Sequence, residues 1–218
     1  MKKLFFIITL ISFSVFSFTQ NSLFIEAESF QNKGGWVVDQ QFMDLMGSPY
    51  LMAHGQGTPV SDASTTVNFA KTGEYTVFVR TYNWTSPWTT KEGPGKFQLT
   101  VNGKVLNNKI LGTKSNTWEW QEVGKVKISS GTVTVGLRDL TGFNGRCDAV
   151  YFTMDNILPP NEPEVLTAFR KEKLGLPEVV PKAGKFDLVV IGGGVAGTAA
   201  ALTAARQGLK VALIQDRP

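Results

Sequence analysis

The stretch FDLVVIGGGVAG (residues 186–197) is followed by an alanine-rich segment and then by GLKVALIQD (residues 208–216). The apolar run before the glycines is typical of a strand that is buried on both faces of a parallel sheet. The alanine-rich segment predicts a helix over 195–207, which Gly208 is suited to end. A second apolar run predicts another strand over 211–214. The predicted order is therefore strand, glycine turn, helix, strand.

The glycine turn has the spacing G-x-G-x-x-G, with Gly192, Gly194 and Gly197 at its three glycine positions. Gly192 permits the tight turn, and Gly194 leaves room for a diphosphate beside the main chain. Gly197 lets the helix pack closely on the strand, and the N terminus of that helix would direct its N–H groups at phosphates. The turn therefore predicts dinucleotide binding. The alternative is a turn that only connects strand to helix.

The residues expected to contact the cofactor extend to the end of the second strand. A Glu or Asp commonly accepts the ribose hydroxyls there, and this sequence has Gln215 followed by Asp216. Either side chain can accept a ribose hydrogen bond, and neither suits a 2′-phosphate, so NADP is disfavoured. The predicted cofactor-binding residues are Gly192, Gly193, Gly194, Val195, Ala196, Gly197, Gln215 and Asp216.

Residues 186–218 resemble the start of the FAD-binding domain of FAD-dependent oxidoreductases. They are most similar to secreted bacterial members that carry a β-rich module in front. The resemblance implies a bound FAD whose ADP half rests on residues 192–197, in a Rossmann-type α/β domain that is truncated at Pro218. It carries over no catalytic residue, because the isoalloxazine and substrate sites would lie outside this sequence.

Residues 1–20 predict a secretory signal peptide, since Lys2 and Lys3 precede an apolar run over 4–18 and polar residues follow. The alternative is a retained membrane anchor, which is disfavoured because the apolar run is too short to span a bilayer. We therefore expect an exported protein, periplasmic or extracellular, without stable membrane insertion after signal cleavage. Export also favours FAD over NAD, because free nicotinamide cofactors are cytosolic while a flavin stays bound to its protein.

Charge and cysteine content argue against other classes of function. The 218 residues carry a formal net charge of +4, to which Lys2 and Lys3 contribute. The remaining excess is too small and too evenly spread to predict a nucleic-acid partner. Cys147 is the single cysteine, so an intrachain disulfide and a thiolate metal cluster are excluded. We expect Cys147 to be buried as a small apolar residue.

Residues 21–155 predict an all-β, jelly-roll-like sandwich. Short segments that alternate apolar and polar residues are separated by clusters of turn residues, and Asn102-Gly103 is a preferred pair for a two-residue hairpin turn. Many short strands with even spacing and no helical period favour an antiparallel sandwich. One or both of Trp118 and Trp120 are expected in its core. Strands are predicted over 23–30, 36–38, 50–53, 64–69, 73–81, 95–102, 119–128, 131–139 and 147–153.

Three parts of this region resemble carbohydrate-binding jelly rolls of the kind attached to glycoside-active enzymes: residues 25–28, residues 73–80 with 101–103, and residues 148–152. In such modules the first strand and a closing aspartate often bind a structural calcium ion. The resemblance thus implies calcium ligands at Glu26, Glu28 and Asp148, whose oxygens suit a hard cation. The alternative is that these carboxylates are surface charges or hydrogen-bond a strand end.

The segment YNWTSPW (residues 82–88) contains two indoles beside small polar residues. Exposed aromatic faces can stack on sugar rings, while amide and hydroxyl groups bond the sugar hydroxyls. Tyr82, Asn83, Trp84 and Trp88 are therefore the predicted carbohydrate site. The alternative is that the indoles cap the sandwich or pack against the flavin domain.

Residues 156–185 form the predicted linker, which contains one amphipathic helix. Asn161 is a suitable N-cap with Glu164 at capping-box spacing, and Gly175 followed by Pro177 would end the helix. We expect this helix to pin the sandwich to the flavin domain.

The sequence therefore predicts the N-terminal part of an exported FAD-dependent oxidoreductase, whose flavin takes a hydride from an unknown substrate. The substrate class suggested by the sandwich is a sugar-derived small molecule or a carbohydrate, on analogy alone. The alternative is a carbohydrate-binding or adhesive sandwich with no activity of its own.

Overall fold

The computed structural model describes residues 21–88, 91–155 and 157–215. The chain divides into two compact units, and the division falls between Leu176 and Pro177, within the predicted linker. The predicted signal peptide (residues 1–20) and Asp216 lie outside the described residues. Each unit is considered by itself below.

The first unit is built mainly of antiparallel strands, as the alternating sequence pattern predicts. Its described elements are β1 (Ser22–Glu26), a 3-10 turn (Ala27–Ser29), β2 (Val37–Asp39), α1 (Met43–Met46), β3 (Tyr50–His54), β4 (Ala63–Asn68), β5 (Gly73–Thr81), β6 (Phe97–Val101), β7 (Lys104–Val105), β8 (Glu119–Ile128), β9 (Thr132–Asp139), β10 (Phe143–Thr153) and α2 (Pro163–Lys173).

These strands form two sheets in the described part of the chain. Sheet A has the order β2-β3-β10-β5-β8, and β1 also pairs with β10. Strand β10 is long enough to pair with both β3 and β1. Its first half pairs with β3 (Cys147 opposite Leu51), and its second half pairs with β1 (Ala149 opposite Glu26). Sheet B has the order β4-β9-β6-β7. The two sheets confirm the predicted β-sandwich.

The main core lies between the two sheets, where apolar side chains of both inner faces meet. Sheet A contributes Leu51, Val77, Val79, Cys147, Val150 and Phe152, and sheet B contributes Ala63, Phe97, Leu99, Val133, Val135 and Leu137. Cys147 is fully buried, as expected, and burial raises the pKa of its thiol well above the usual value.

The outer face of sheet A is covered as well, which the sequence pattern did not show. Helix α2 packs Leu166 and Phe169 onto an outer layer that contains Phe24, Trp120 and Tyr151. Because both faces of the sheet are covered, the last seven residues of β5 and the last nine of β10 are buried without alternation. Burial of Trp120 is confirmed, although it lies in this outer layer.

The sequence predicted one hairpin turn correctly and the N-cap of α2 incorrectly. Asn102 and Gly103 have φ of +50° and +75°, and they join β6 to β7 in the predicted hairpin. The predicted capping box is wrong, because Glu162 is the N-cap of α2 and Asn161 faces the sandwich. The Asn161 amide accepts a hydrogen bond from Arg80 Nε (3.0 Å) and donates one to the Trp118 carbonyl (2.7 Å). A long-range contact has displaced the local one.

The second unit contains the predicted strand–turn–helix–strand segment. Its described elements are β11 (Leu188–Ile191), α3 (Val195–Arg206) and β12 (Val211–Ile214). The two strands are parallel, with Leu188 opposite Val211 and Ile191 opposite Ile214. Gly208 has φ of +86°, which suits its predicted place just after the helix.

Across residues 21–88, 91–155 and 157–215, no helix combines the length and apolar character that crossing a bilayer requires.

The buried position of Leu137 in β9 gives a test of the sandwich core. Leu137→Ala should lower the free energy of unfolding of the first unit by about 2–5 kcal/mol, because the deletion leaves a cavity between the sheets. The exposed Leu45 on α1 is the matched control, and Leu45→Ala should cost about 0.5 kcal/mol or less. Urea unfolding followed by tryptophan fluorescence measures both, and equal effects would contradict this core.

Candidate functional sites

The glycine turn of the second unit holds two glycines that the fold itself requires. Gly192 has φ of +99°, a conformation that other residues rarely adopt. A Cβ atom at Gly197 would lie 1.8 Å from the Gly192 carbonyl oxygen, so the helix could not approach the strand as it does. Both observations agree with the roles predicted for these residues.

Gly194 differs, because nothing in the described chain requires it to be glycine. Its φ of −64° and ψ of 178° are open to any residue, and a Cβ atom there would meet no atom within 4 Å. Gly194 is the N-cap of α3 and brings no side-chain acceptor, so the first N–H groups of the helix have no cap. Val195 and Ala196 follow with exposed side chains. This open backbone cradle fits the diphosphate of a dinucleotide.

Gln215 makes a contact that the sequence did not indicate. Its Oε1 accepts a hydrogen bond from the Gly193 N–H at 2.6 Å and so braces the glycine turn against the end of β12. The ribose contact expected of Gln215 stays a prediction, as does the contact expected of Asp216, which lies outside the described residues.

A cluster of buried charges links sheet A to α2 in the first unit. The Asp148 carboxylate on β10 is fully buried and lies between two guanidiniums. Arg80 Nη1 donates to Asp148 Oδ2 at 2.8 Å, and Arg170 Nη2 donates to Asp148 Oδ1 at 2.6 Å. Arg170 Nη2 also lies 3.1 Å from Glu26 Oε2. The cluster brings together the three carboxylates that the sequence indicated, since Glu28 lies beside Glu26.

Burial dominates the electrostatics of this cluster. It raises the pKa of Glu26 to about 7, an effect that the Arg170 charge opposes. Burial also raises the pKa of Glu28 to about 8, and the neighbouring charge of Glu26 adds to the shift. Among the described residues, Glu28 Oε2 has no hydrogen-bond partner. Both guanidiniums remain cationic, because arginine does not lose its proton in proteins.

The residues present do not fit the expected calcium ion. Arg170 already occupies the space between Glu26 and Asp148, and both oxygens of Asp148 accept from arginines. Calcium needs six to eight oxygen ligands at about 2.3–2.6 Å, which these engaged carboxylates do not offer. Within the described residues, no group of three or more acidic, histidine or cysteine side chains is arranged to hold a metal ion. The calcium ligands predicted at Glu26, Glu28 and Asp148 are therefore corrected to partners and neighbours of arginines.

Three aromatic side chains form a shelf at one end of the sandwich: Trp84, Trp88 and Phe143. The rings of Trp84 and Phe143 are nearly parallel (12°) with centroids 6.2 Å apart, and Trp88 meets Trp84 edge-on at 6.1 Å. Trp88 is 77% exposed and Phe143 is 45% exposed. The Trp84 indole N–H donates to the Phe143 carbonyl at 2.9 Å, which fixes the ring. In this shelf the Trp84 ring is held by a hydrogen bond, and the rings of Trp88 and Phe143 are accessible to solvent.

The other two predicted carbohydrate residues do not belong to this shelf. Tyr82 is buried because its ring stacks on Trp118 at 5.6 Å and meets Phe42 at 5.5 Å. Asn83 is also buried, and its Oδ1 accepts from the N–H (3.1 Å) and hydroxyl (2.8 Å) of Thr85. In the structure both residues support the loop, and the sugar contacts expected of them stay a prediction. Asn83 still lines the wall of the cavity described next.

Polar groups surround the aromatic shelf. His54 Nδ1 and Asn144 Oδ1 lie 2.7 Å apart next to Phe143, and the Arg146 guanidinium lies 5.6 Å from the Trp84 ring centroid. An open cavity of about 470 Å³ is located in the same loop region. Its lining residues are Asn83, Ser86, Lys91, Glu92, Thr113, Lys114, Ser115 and Asn116.

Sequence reasoning missed two residues of these sites, Phe143 and Arg170. Phe143 is far in sequence from the tryptophan loop (residues 82–88), and the antiparallel pairing of β10 with β5, in which Cys147 lies opposite Thr81, brings it there. Arg170 is one of three basic residues in the last turn of α2, and its sequence context does not distinguish it from Lys171 and Lys173. No sequence pattern around Asn161, Arg80 or Asp148 indicated where the Arg170 side chain would lie.

Comparison with known proteins identifies one family over part of the chain. Residues 187–218 match the family model described as FAD dependent oxidoreductase. The matched residues lie in the second unit and include its glycine turn. No curated protein matches the sequence.

Solved structures similar to the chain include carbohydrate-binding β-sandwich modules. A family 35 carbohydrate binding module from Clostridium thermocellum has a TM-score of 0.47 and 16% identity, over 61% of this chain and 98% of that one. The CBM36-1 domain of a multidomain xylanase from the hindgut metagenome of Trinervitermes trinervoides has a TM-score of 0.45 and 16% identity, over 63% and 100%. The GH26-CBM35 β-(1,4)-mannanase of Podospora anserina has a TM-score of 0.48 and 15% identity, over 88% and 42%.

The position of Asp148 between two arginines predicts a large effect of neutralising it. Asp148→Asn should lower the free energy of unfolding by roughly 3–5 kcal/mol, because two guanidiniums then lose their shared buried carboxylate. Asp62→Asn is the matched control, since Asp62 pairs with Arg138 at the surface and should cost less than about 1 kcal/mol. Chemical unfolding measures both variants, and a small effect at Asp148 would contradict the proposed arrangement of charges.

Proposed function

We propose that this chain is the N-terminal part of an exported FAD-dependent oxidoreductase, with the diphosphate of FAD held by the glycine turn of the second unit. The open backbone at Gly194 carries this proposal, because neither the conformation nor the packing of the chain calls for glycine there. The family match over 187–218 supports a flavin as the dinucleotide.

Each part of the turn has a distinct role in this proposal. Gly192 and Gly197 shape the turn, and the Gln215 side chain braces it through Gly193. Gly194 leaves space for the diphosphate, whose charge is stabilised by the uncapped N–H groups at the start of α3. A bound flavin would supply the hydride-accepting chemistry, and these residues would bind and orient its ADP half.

The Gly194 cradle can be tested without changing the fold. Gly194→Ala should leave thermal stability unchanged, since the new methyl group meets no protein atom within 4 Å. In the intact oxidoreductase it should weaken FAD binding by at least about tenfold, or ~1.4 kcal/mol, because the methyl group occupies the space of the diphosphate. Flavin absorbance retained after gel filtration, followed by FAD titration of the apoprotein, measures this loss.

Thr203→Ala on the exposed side of α3 is the control for this experiment and should retain FAD like the wild type. Stoichiometric, tightly bound FAD in the Gly194→Ala protein would overturn the assignment of the cradle. A colourless intact wild-type protein with no recoverable flavin would overturn the oxidoreductase itself.

We further propose that the first unit binds a carbohydrate at the aromatic shelf of Trp84, Trp88 and Phe143. The joint exposure of Trp88 and Phe143 beside Trp84 favours this role, because a contiguous apolar patch that faces solvent is typical of a binding surface. Sugar rings have an apolar face for such a ring, and the nearby His54–Asn144 pair offers groups that bond hydroxyls. The substrate of the oxidoreductase would then be a carbohydrate or a molecule derived from one.

Substitution of Trp88 tests the shelf. Trp88→Ala should lower affinity for a bound oligosaccharide by roughly tenfold, with stability unchanged, because the exposed ring makes few contacts that hold the fold. Trp88→Phe keeps a stacking face and should retain most of the affinity. Calorimetric titration against a panel of neutral and acidic oligosaccharides measures the change.

The same panel separates this proposal from a second one, a purely structural or adhesive sandwich. Lack of binding by the wild-type protein to every oligosaccharide would favour the structural role. Equal affinities of the wild type and Trp88→Ala would place the sugar elsewhere on the module.

A further inference from the structure

The side chain of Arg170 makes a set of contacts that resembles the surroundings of a bound cation. Its Nη1 donates to the Met46 carbonyl at 2.6 Å and to Ser48 Oγ at 2.8 Å. Its Nη2 donates to Asp148 Oδ1 at 2.6 Å and to Glu26 Oε2 at 3.1 Å. Carboxylate, carbonyl and hydroxyl oxygens from three separate segments thus converge on one guanidinium. These are the oxygen types that a hard cation takes.

The charges around Arg170 explain why the pocket needs a cation. The Asp148 and Glu26 carboxyl groups meet there with Glu28 beside them, and Arg80 supplies a single positive charge, which pairs with Asp148. Arg170 supplies the second positive charge. A divalent ion in addition would lie next to two buried guanidiniums, and like charges at that distance repel strongly where water is excluded.

The position of Arg170 on α2 gives this contact a structural consequence. Arg170 belongs to the same helix as Leu166 and Phe169, which cover the outer layer of sheet A. The guanidinium also lies 5.8 Å from the centroid of the Phe24 ring on β1. Charge neutralisation and apolar packing therefore depend on the same docked helix.

We propose that Arg170 is the built-in cation of this pocket, so that the first unit folds with α2 docked and without a metal ion. The pocket is then a latent calcium site, which binds the ion only when the guanidinium is removed. This inference concerns the sandwich alone and does not depend on FAD or carbohydrate binding.

Thermal unfolding of the full chain, followed by tryptophan fluorescence, tests the proposal, because all five tryptophans lie in the first unit. The Tm of the wild type should differ by less than about 1 °C between EDTA and saturating calcium. Arg170→Met should lower the Tm in EDTA, and calcium should restore it by roughly 5–10 °C through binding to the folded state. Calorimetric titration should show one calcium site in this variant and none in the wild type.

Lys127→Met is the matched control, since it removes one positive charge from the first unit at an exposed position on β8, away from this pocket. It should leave both the Tm and the lack of calcium response unchanged. Arg170→Lys keeps the charge, should remain folded and should be insensitive to calcium.

Two results would overturn the proposal. One is a wild-type protein or Arg170→Lys variant that calcium stabilises by several degrees, which would mean that the pocket takes a metal beside the cationic side chain. The other is a folded Arg170→Met variant that shows no calcium binding. If Arg170→Met does not fold in either buffer, the calcium response of the wild type and of Arg170→Lys decides the question. It shows whether the pocket holds a metal ion beside the cationic side chain.

Discussion

The buried carboxylate of Asp148, held between Arg80 and Arg170, is the interaction on which the rest of the first unit depends. Burying three charges is costly, and the cost is offset only when each charge keeps its partners. Asp148 lies on the long central strand β10, Arg80 lies on its neighbour β5, and Arg170 lies on α2. A single carboxylate therefore fixes the centre of sheet A to the helix that covers it.

Arginine side chains also contact the aromatic rings in and around the tryptophan loop (residues 82–88). The Arg80 guanidinium lies 5.9 Å from the centroid of the Trp118 ring, and Trp118 stacks on Tyr82 at the start of the tryptophan loop. Arg146, on the strand that carries Asp148, lies under the Trp84 ring. Rings that bind a ligand gain affinity when they are held in place before binding. The Trp84 ring, held by Arg146 and by the Phe143 carbonyl, would therefore need little ordering in the proposed carbohydrate site.

Structural features that depend on local sequence pattern were predicted correctly. Contacts between residues that are distant in sequence were not. The alternating strands and the glycine turn were readable, because side-chain period and backbone conformation are local properties. The role of Asn161 was misread as a helix cap because its partners, Arg80 and Trp118, are remote in sequence. The role of Arg170 was not predicted for the same reason, since its partner Glu26 is 144 residues away in sequence. Only the fold shows that the three indicated carboxylates meet a guanidinium.

We infer that α2 and the sandwich form one cooperative body through the charges around Asp148. Amide hydrogen exchange on the full chain tests this claim directly, because it gives an opening free energy for each element. We expect the interior amides of α2 to open within about 1 kcal/mol of those of β10. Exchange of the α2 amides at rates close to those of an unfolded peptide, while β10 stays protected, would contradict it.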